Sequence, residues 1–209
     1  MKIYLIRHGR QNSRLCNVDV DLAEEGKQQA RLVAERIKNW NIENIYCSDL
    51  KRAMETAAII NETLNVNIVV ESQLREIDFG EMTGHSDEEN AKYFAFFQKK
   101  LKSRRCDLAY PGGECGADVY QRGFPVINKI VHGSTGNVAI VTHGGFIRCI
   151  LAGILGMDFA KKSMFGKNME NTSITELDYD TDSEMFTLER FNDYTHLEGK
   201  PELLRSSWK

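Results

Sequence analysis

Short continuous apolar runs alternate along the chain with longer stretches whose apolar residues are spaced as in a helix. Each run is typical of a strand that is covered on both faces, as in a parallel sheet. The runs occupy residues 3–6, 45–47, 68–70 and 138–141. Helical spacing is found at residues 22–40, 50–64, 118–131 and 146–155. Because strand and helix alternate, the pattern predicts the α/β class.

Two local signals predict where helices begin and where they are interrupted. Asp21 is followed three residues later by Glu24, which resembles a capping box and predicts a helix that begins near Leu22. Gly123 and Pro125 lie within a later helical pattern. Proline cannot donate its backbone hydrogen bond, so that helix is expected to be kinked or broken there.

The remaining pattern predicts a helical insertion and a final pair of strands. The insertion covers about residues 86–110 and has helical spacing followed by a basic tail. Apolar runs at 174–177 and 186–188 flank the turn Asp180-Thr181-Asp182, as expected for paired strands. No repeat or linker is visible, and domains usually run to roughly 100–200 residues. Residues 1–209 are therefore expected to form a single domain.

Composition narrows the range of functions. The 27 basic and 30 acidic residues give a net charge of −3, which lacks the positive field of a nucleic-acid-binding protein and does not support a membrane-surface role. The segment 147–157 is interrupted by Arg148, so no membrane span or signal peptide is expected. The five cysteines are odd in number and form no C-x-x-C pair, which argues against a disulfide framework or zinc site. A soluble cytoplasmic protein is predicted.

Two of the predicted strands end in the same way, with a histidine followed by glycine. His8 and Gly9 follow the first strand, and His143 and Gly144 follow a later one. Ligands bind beside the carboxyl ends of strands in open parallel sheets, so both histidines are expected at one edge. Arg52, which follows the second strand, falls at the same edge.

The residue types at this edge suit a phosphoryl group. Its negative charge is spread over three oxygens, which guanidinium groups bind with paired, charge-assisted hydrogen bonds, while imidazole can donate or attack. Arg7, Arg52, His8 and His143 would form such a pocket. Phosphoryl transfer usually employs a divalent ion to neutralise this charge. With two arginines present, no metal and no other cofactor is expected.

Ordered motifs from Lys2 to about Leu177 resemble those of the histidine phosphatase superfamily, which is also called phosphoglycerate mutase-like. The resemblance covers most of the chain and extends to the small phosphatases that act on α-ribazole phosphate. Its motifs are Arg7-His8-Gly9, Asp21-Leu22 with Gly26, Gln29 and Ala30, Ser48 to Ala53 with Thr56-Ala57, Leu74-Arg75-Glu76 with Phe79-Gly80 and Gly84, Gly112-Gly113-Glu114 with Asp118 and Arg122, and His143-Gly144-Gly145.

The resemblance implies a fold and a set of roles. The fold would be a three-layer αβα sandwich with a mostly parallel central sheet and helices on both faces. His8 would be the nucleophile, with phosphate bound by Arg7, Arg52 and His143. Glu76 would protonate the leaving oxygen and then activate water to hydrolyse the phosphohistidine.

Other residues near these motifs are candidates for substrate binding and for the role of general acid. Gly144, Arg10 and Gln11 are further candidates for substrate binding. Arg10 stands where many members carry glutamate, and residues 11–14 do not reproduce the usual T-x-W-N, so this loop is expected to differ. Only the motif favours Glu76 over nearby carboxylates such as Glu81.

Three alternative functions stay open at this point. A mutase would share the pocket but shield the phosphohistidine from water, whereas the short insertion and compact form favour a phosphatase. A phosphate-ester binding module without turnover would not need His8 and Glu76. Residues 178–182 superficially resemble the D-x-D-x-T/V loop of magnesium-dependent phosphatases, but Asp182 stands in the Thr/Val position and an acidic turn is expected. The substrate is a small phosphate ester that the sequence does not name, and the role of the insertion and the oligomeric state are also open.

Overall fold

A six-stranded sheet forms the centre of the computed structural model, which describes residues 1–166 and 168–207. The order across the sheet is β3-β2-β4-β1-β5-β6. The first four strands are parallel to one another, β5 is antiparallel to β1, and β6 is antiparallel to β5. The strands are β1 (Lys2–Arg7), β2 (Ile42–Cys47), β3 (Asn67–Val70), β4 (Asn137–Thr142), β5 (Ile174–Asp180) and β6 (Met185–Asp193). The predicted α/β class with a mostly parallel sheet is confirmed.

Helices cover both faces of this sheet. They are α1 (Glu24–Ile37), α2 (Lys51–Leu64), α3 (Asp87–Tyr93), α4 (Ala95–Ser103), α5 (Gly116–Gly133), α6 (Gly144–Ile154) and the short α7 (Thr195–Glu198). Successive side chains of a strand point to opposite faces. In β1, Ile3 and Leu5 therefore join the core with α5 and α6, while Tyr4 and Ile6 join the core with α1 and α2. The result is the predicted three-layer αβα sandwich.

The predicted start of α1 is wrong. The helix begins at Glu24, after an N-cap residue, Ala23, that makes no side-chain cap. Leu22 pairs in a β-bridge with Gln11, and its N–H donates to the Glu55 carboxylate at 2.6 Å. The backbone before Glu24 is therefore held extended, and the Asp21 capping box does not form.

The third helical region, for which the sequence predicts a kink or a break, is not broken. α5 runs as one helix from Gly116 to Gly133 with Pro125 inside it. A Cβ on Gly123 would lie only 2.5 Å from the Phe146 ring, so this glycine serves the close packing of α5 against α6. Proline removes one backbone donor, and the packed helix continues past it.

Two helices, α3 and α4, lie within the segment predicted as a helical insertion. Ser86 and Glu89 form a capping box at the start of α3, and Phe94 separates the two helices. No residue of α4 is fully buried, although the Phe97 ring contacts that of Tyr110 at a centroid distance of 5.4 Å. The single domain over residues 1–209 stays a prediction.

The acidic turn between β5 and β6 lies far from both histidines. β5 is antiparallel to β1, and Asp178 pairs with Lys2 at the start of that strand, whereas His8 follows its end. Asp178 accepts from the N-terminal ammonium at 3.2 Å, and Asp180 accepts the N–H of Asp182 at 2.9 Å. This segment is the expected acidic turn.

Among the described residues, no helix is long and apolar enough to cross a membrane.

Candidate active site

The ends of β1 and β4 bring His8 and His143 together, as predicted. Arg7 pairs with Thr142 at the ends of these adjacent parallel strands, so the next residues emerge side by side. The two imidazole centroids are 5.1 Å apart, and both side chains are buried. Arg52, on the first turn of α2, is also buried and completes the group.

Two hydrogen bonds hold the peptide bond that follows His8. The N–H of Gly9 donates to Thr56 Oγ1 at 3.0 Å, and Asn171 Nδ2 donates to the His8 carbonyl at 2.8 Å. A Cβ on Gly9 would lie 2.5 Å from the carbonyl oxygen of Gly26, so a larger residue cannot be placed there without a shift. Glycine after His8 is therefore required by the close approach of the loop to α1.

The hydrogen bonds of His8 define its tautomer. Nδ1 lies 2.7 Å from the carbonyl oxygen of Gly9, which can only accept, so Nδ1 carries the proton. Nε2 accepts from Arg52 Nε at 3.2 Å. Burial, followed by the charges of Arg52 and Arg7, holds the pKa of His8 well below its ordinary value of 6.5. The imidazole is therefore neutral at pH 7, and its Nε2 lone pair accepts the N–H of Arg52 in this structure.

The two arginines are held in place by neighbouring oxygen atoms. Arg52 donates to the carbonyl of Val18 at 3.0 Å and to Asn17 Oδ1 at 2.8 Å. Arg7 donates from Nη1 to the carbonyl of Met169, while its Nε is buried and has no hydrogen-bond partner among the described residues. Burial, and then repulsion from Arg205, lowers the pKa of Arg7 to about 9. An anion beside Arg7 would supply the missing acceptor and compensate this buried charge.

His143 is oriented by a serine that the second-strand motif supplies. Its Nε2 lies 2.9 Å from Ser48 Oγ, and its Nδ1 is buried and has no hydrogen-bond partner among the described residues. Burial, followed by the charge of Arg52, lowers the pKa of His143 well below 6.5. A neutral imidazole here can donate one hydrogen bond to a phosphoryl oxygen.

The carboxylate of Glu76 lies at the N-terminus of α6. Its Oε1 accepts from the N–H groups of Ile77 at 2.9 Å and Phe146 at 2.8 Å, and its Oε2 accepts from Gly145 at 3.1 Å. A Cβ on Gly145 would lie 2.5 Å from Oε1. The second glycine of the His143-Gly144-Gly145 motif therefore makes room for Glu76, which the structure holds in one position.

His8, Arg7, Arg52 and Glu76 line a cavity of about 800 Å³, and so do the predicted binding residues Arg10 and Gln11. His143 lies beside His8 but is not one of the described residues that line this cavity. Arg10 also pairs with Glu25 at 2.9 Å, and Gln11 donates to carbonyls of its own loop. These contacts do not mark either residue as a ligand for the phosphoryl group. Gly144 lines an adjoining cavity of about 290 Å³.

Over residues 1–166 and 168–207, no three His, Cys, Asp or Glu side chains are grouped so that they could hold a metal ion. The positive charge that lines this cavity comes from arginine side chains, and among them Arg52 and then Arg7 contribute most to lowering the pKa of His8.

Comparison with known proteins identifies the family. The model of the histidine phosphatase superfamily (branch 1) matches residues 3–194. The chain belongs to this superfamily. Every motif that carried the resemblance lies inside the matched range.

Relatives of this histidine phosphatase include proteins named as mutases and as phosphatases. Phosphoglycerate mutase-like protein 4 of Arabidopsis thaliana is 32% identical over an alignment of 209 residues that covers 94% of this chain and 87% of that protein. Phosphoserine phosphatase 1 of Hydrogenobacter thermophilus is 32% identical over an alignment of 189 residues that covers 85% of this chain and 87% of that protein.

Solved structures share the fold. A mycobacterial glucosyl-3-phosphoglycerate phosphatase in complex with VO3 matches with a TM-score of 0.82 and 28% identity over 92% of this chain and 99% of that chain. A proposed α-ribazole-5′-phosphate phosphatase from Escherichia coli matches with a TM-score of 0.78 over 93% and 97% of the two chains, but at 20% identity it shows the fold alone.

The site of this histidine phosphatase includes residues that sequence reasoning missed. Arg205 lines both cavities, although it lies beyond the last motif, and Arg148 lines the smaller one. Asn17 holds Arg52. No sequence signal marked Arg205 or Asn17, whereas Arg148 was visible as a charge on the apolar helix that follows His143.

We expect the imidazoles of His8 and His143 to stay neutral when the pH is lowered to about 6. The reason is the sign of both shifts, since a lowered pKa means that the neutral form persists as the pH falls through 6.5. Nitrogen-15 NMR of the free protein would measure this and would place the His8 proton on Nδ1. Protonation of His8 near pH 6.5 would contradict the burial argument.

Proposed function

We propose that this chain is a phosphatase that hydrolyses small-molecule phosphate monoesters through a phosphohistidine on His8. The observation that carries the proposal is the geometry of His8, whose Nδ1 is tied to the Gly9 carbonyl while Nε2 faces Arg52 in a large open cavity. A nucleophile that is neutral, oriented and surrounded by guanidinium groups suits attack on an anionic phosphorus centre.

In the first step, the phosphoryl oxygens of the ester bind to Arg7, Arg52 and His143. The Nε–H of Arg7 and the Nδ1 of His143, which have no hydrogen-bond partner within the described part of the chain, support this placement. His8 Nε2 then forms a bond to phosphorus while the ester P–O bond breaks. The leaving alkoxide takes a proton from Glu76, which lines the same cavity as His8.

In the second step, water attacks phosphorus and the bond to Nε2 breaks. Glu76, now a carboxylate, removes the proton from water, so the carboxyl group and the imidazole both return to their starting forms. Arg10, Gln11 and Gly144 remain our candidates for contacts with the rest of the substrate. The balanced products are an alcohol and inorganic phosphate.

Access of water favours hydrolysis over mutase chemistry. The larger cavity is lined by Asp87, at the start of α3, but by no residue from 88 to 105 of the described chain. Beyond Asp87, the insertion helices contribute no lining residue to this cavity among the described residues. Relatives named for phosphatase activity on phosphoserine and on glucosyl-3-phosphoglycerate support the same choice.

We also propose that the protein is cytoplasmic and that it needs no metal. Its partner is then its phosphate ester substrate rather than nucleic acid or a membrane. All five cysteines are free thiols, which suits a reducing compartment. A binding module without turnover is disfavoured because both the proposed nucleophile and the proposed acid are present and lie in one cavity.

We expect net release of inorganic phosphate to be faster than phosphoryl exchange between the positions of phosphoglycerate. An open cavity lets water intercept the phosphohistidine before the substrate reorients. A screen of metabolite phosphate esters for released phosphate, run beside an NMR assay of phosphoglycerate isomerisation, would measure both rates. Predominant isomerisation with little free phosphate would support the mutase instead.

A further inference from the structure

The turn at Asn171 and Thr172, shortly before β5, holds the end of β1 that carries His8. The N–H of Thr172 donates to the Arg7 carbonyl at 3.0 Å, and Asn171 Nδ2 donates to the His8 carbonyl at 2.8 Å. Both residues of the turn are buried. The turn therefore contributes to fixing where the backbone of His8 lies.

Thr172 has a backbone conformation that is rare for its residue type. Its φ of 54° lies in the left-handed region, which glycine adopts readily and which a β-branched residue seldom enters. A residue in such a conformation persists only where the surrounding contacts hold it, and such residues are common at active sites. Contacts from outside the turn are therefore expected to hold Thr172.

His196, on the short helix α7, supplies such a contact. Its Nε2 lies 3.0 Å from Thr172 Oγ1. The same Oγ1 lies 2.7 Å from the carbonyl oxygen of Asn171, which can only accept, so the hydroxyl proton points to that carbonyl. Thr172 Oγ1 therefore accepts the contact from His196, and Nε2 of this imidazole carries the proton.

The other ring nitrogen of His196 agrees with this tautomer. Arg36 Nη1 lies 3.3 Å from His196 Nδ1, and because a guanidinium group only donates, Nδ1 accepts. Arg36 is itself held by the Asp193 carboxylate through two contacts, one of them at 2.9 Å. Burial, followed by the charge of Arg36, lowers the pKa of His196 to about 4, so the neutral imidazole is the form present at pH 7.

A directed series of hydrogen bonds thus runs from α1 to the turn. Arg36 donates to His196, His196 donates to Thr172, and the Thr172 hydroxyl donates to the Asn171 carbonyl. The side chain of Asn171 then donates to the carbonyl of His8. Three segments that are distant in the sequence are connected in this way to the proposed nucleophile.

The position of the His8 backbone matters because the imidazole is tied to it. Nδ1 of His8 lies 2.7 Å from the carbonyl of the next residue, Gly9, so a shift of this backbone moves Nε2 as well. Attack on phosphorus requires Nε2 to lie in line with the leaving oxygen. A misplacement of about 1 Å can lower a rate roughly 10²-fold, even when it is caused by a change far from the reacting atoms.

We propose that Thr172 and His196 are positioning residues for phosphoryl transfer. His196 holds Thr172 in its left-handed conformation, and the turn in consequence keeps Nε2 of His8 in line for attack. Among the described residues that line the two cavities, neither Thr172 nor His196 is found, so neither contacts the substrate. The inference rests on the proposed function, because it refers to the attack by His8.

Two substitutions test the contact from its two sides. Thr172→Val removes the hydroxyl group and keeps the branched shape, and His196→Ala removes the donor. Each should slow the burst of nitrophenolate from p-nitrophenyl phosphate roughly 10- to 100-fold, while KM changes less than about threefold because neither residue lines a cavity. Thr172→Ser retains the hydroxyl group and should recover the rate to within about threefold of the unaltered protein.

The same changes at other positions are the matched controls. Thr187→Val alters an exposed threonine on β6, and His132→Ala alters a half-exposed histidine on α5. Neither residue lines a cavity, and both variants should keep the burst rate within about twofold. Circular dichroism and thermal melts show which variants are folded, and Thr172→Val, the smaller change, decides if His196→Ala does not fold.

A double-mutant cycle shows whether the two residues act through one contact. Because Thr172→Val and His196→Ala remove the same hydrogen bond, the double variant should be about as slow as the slower single variant. If the two losses multiply, the residues act independently and the inference is wrong.

Nitrogen-15 NMR of the free protein provides a readout that does not depend on activity. Both single variants should shift or broaden the Nδ1–H signal of His8, whereas the two controls should not. If folded Thr172→Val and His196→Ala proteins keep both the burst rate and this signal, the positioning role is wrong, while hydrolysis by the unaltered protein would still support the phosphatase. If the unaltered protein hydrolyses no ester but the His8 signal depends on both residues, the proposed function fails and the structural link stands.

Discussion

Replacing His8 by alanine is expected to lower the hydrolysis of phosphate monoesters roughly 10⁴- to 10⁶-fold, the scale expected when a covalent nucleophile is removed. The imidazole supplies the only atom in our proposed first step that bonds to phosphorus. Arg7, Arg52 and His143 would still bind the phosphoryl group in the variant. We therefore expect KM to change much less than kcat.

A quenched-flow experiment would identify the intermediate directly. Rapid mixing with substrate and an alkaline quench should trap a phosphoryl group on His8 that is stable in base and labile in acid. It should be absent from the His8→Ala variant.

The matched control is His132→Ala, which removes a half-exposed histidine on α5, remote from the cavity. It should retain full activity and the full phosphorylation signal. Because His8 is buried, circular dichroism and a thermal melt should accompany the assay to show that the His8 variant is folded. Near-normal turnover by a folded His8→Ala protein would exclude the mechanism.

The fold could be predicted because its central strands are short apolar runs that the sheet buries on both faces. The same logic placed His8 and His143 together, since the ends of parallel strands share an edge and β1 and β4 turn out to be neighbours. Helix limits were less predictable. The start of α1 depends on Leu22 pairing with Gln11 and Glu55, contacts that arise only when distant segments meet.

The positions of Arg205 and Arg148 beside the cavities could not be predicted from the sequence for a related reason. Arg205 reaches the cavity because Gln29 holds the carbonyl of Leu203, a contact between residues separated by 174 positions. No periodicity or motif encodes such a contact. Arg148 was noticed only as a charge in an apolar helix. In the structure it lines the smaller cavity together with Arg7 and Glu76.

The position of Glu76 in the structure sharpens what its replacement would do. Three backbone N–H groups hold its carboxyl group, two at Oε1 and one at Oε2. In Glu76→Gln the amide oxygen can keep the two shorter contacts at Oε1. The amide nitrogen would then face the N–H of Gly145 in place of Oε2, so that one hydrogen bond is replaced by a contact between two donors. The variant therefore removes the transferable proton and keeps two of the three backbone contacts.

The general-acid role predicts that Glu76→Gln slows the hydrolysis of alkyl phosphates roughly 10²- to 10⁴-fold. Aryl esters should suffer less in the phosphorylation step, because nitrophenolate departs without a proton, so the burst of nitrophenolate should persist. Steady turnover should still fall, and phosphohistidine should accumulate, since the second step needs the carboxylate to activate water.

Glu81→Gln is the matched control for this experiment. Glu81 is the next glutamate along the same loop as Glu76, is exposed, and lines neither cavity, so its replacement should leave both ester classes unaffected. Stopped-flow bursts with an alkyl and an aryl ester, measured for both variants, decide between the two residues. Equal loss of the alkyl and aryl bursts in Glu76→Gln would mean that Glu76 positions the start of α6 and donates no proton. Selective loss of the alkyl burst in Glu81→Gln would transfer the acid role to Glu81.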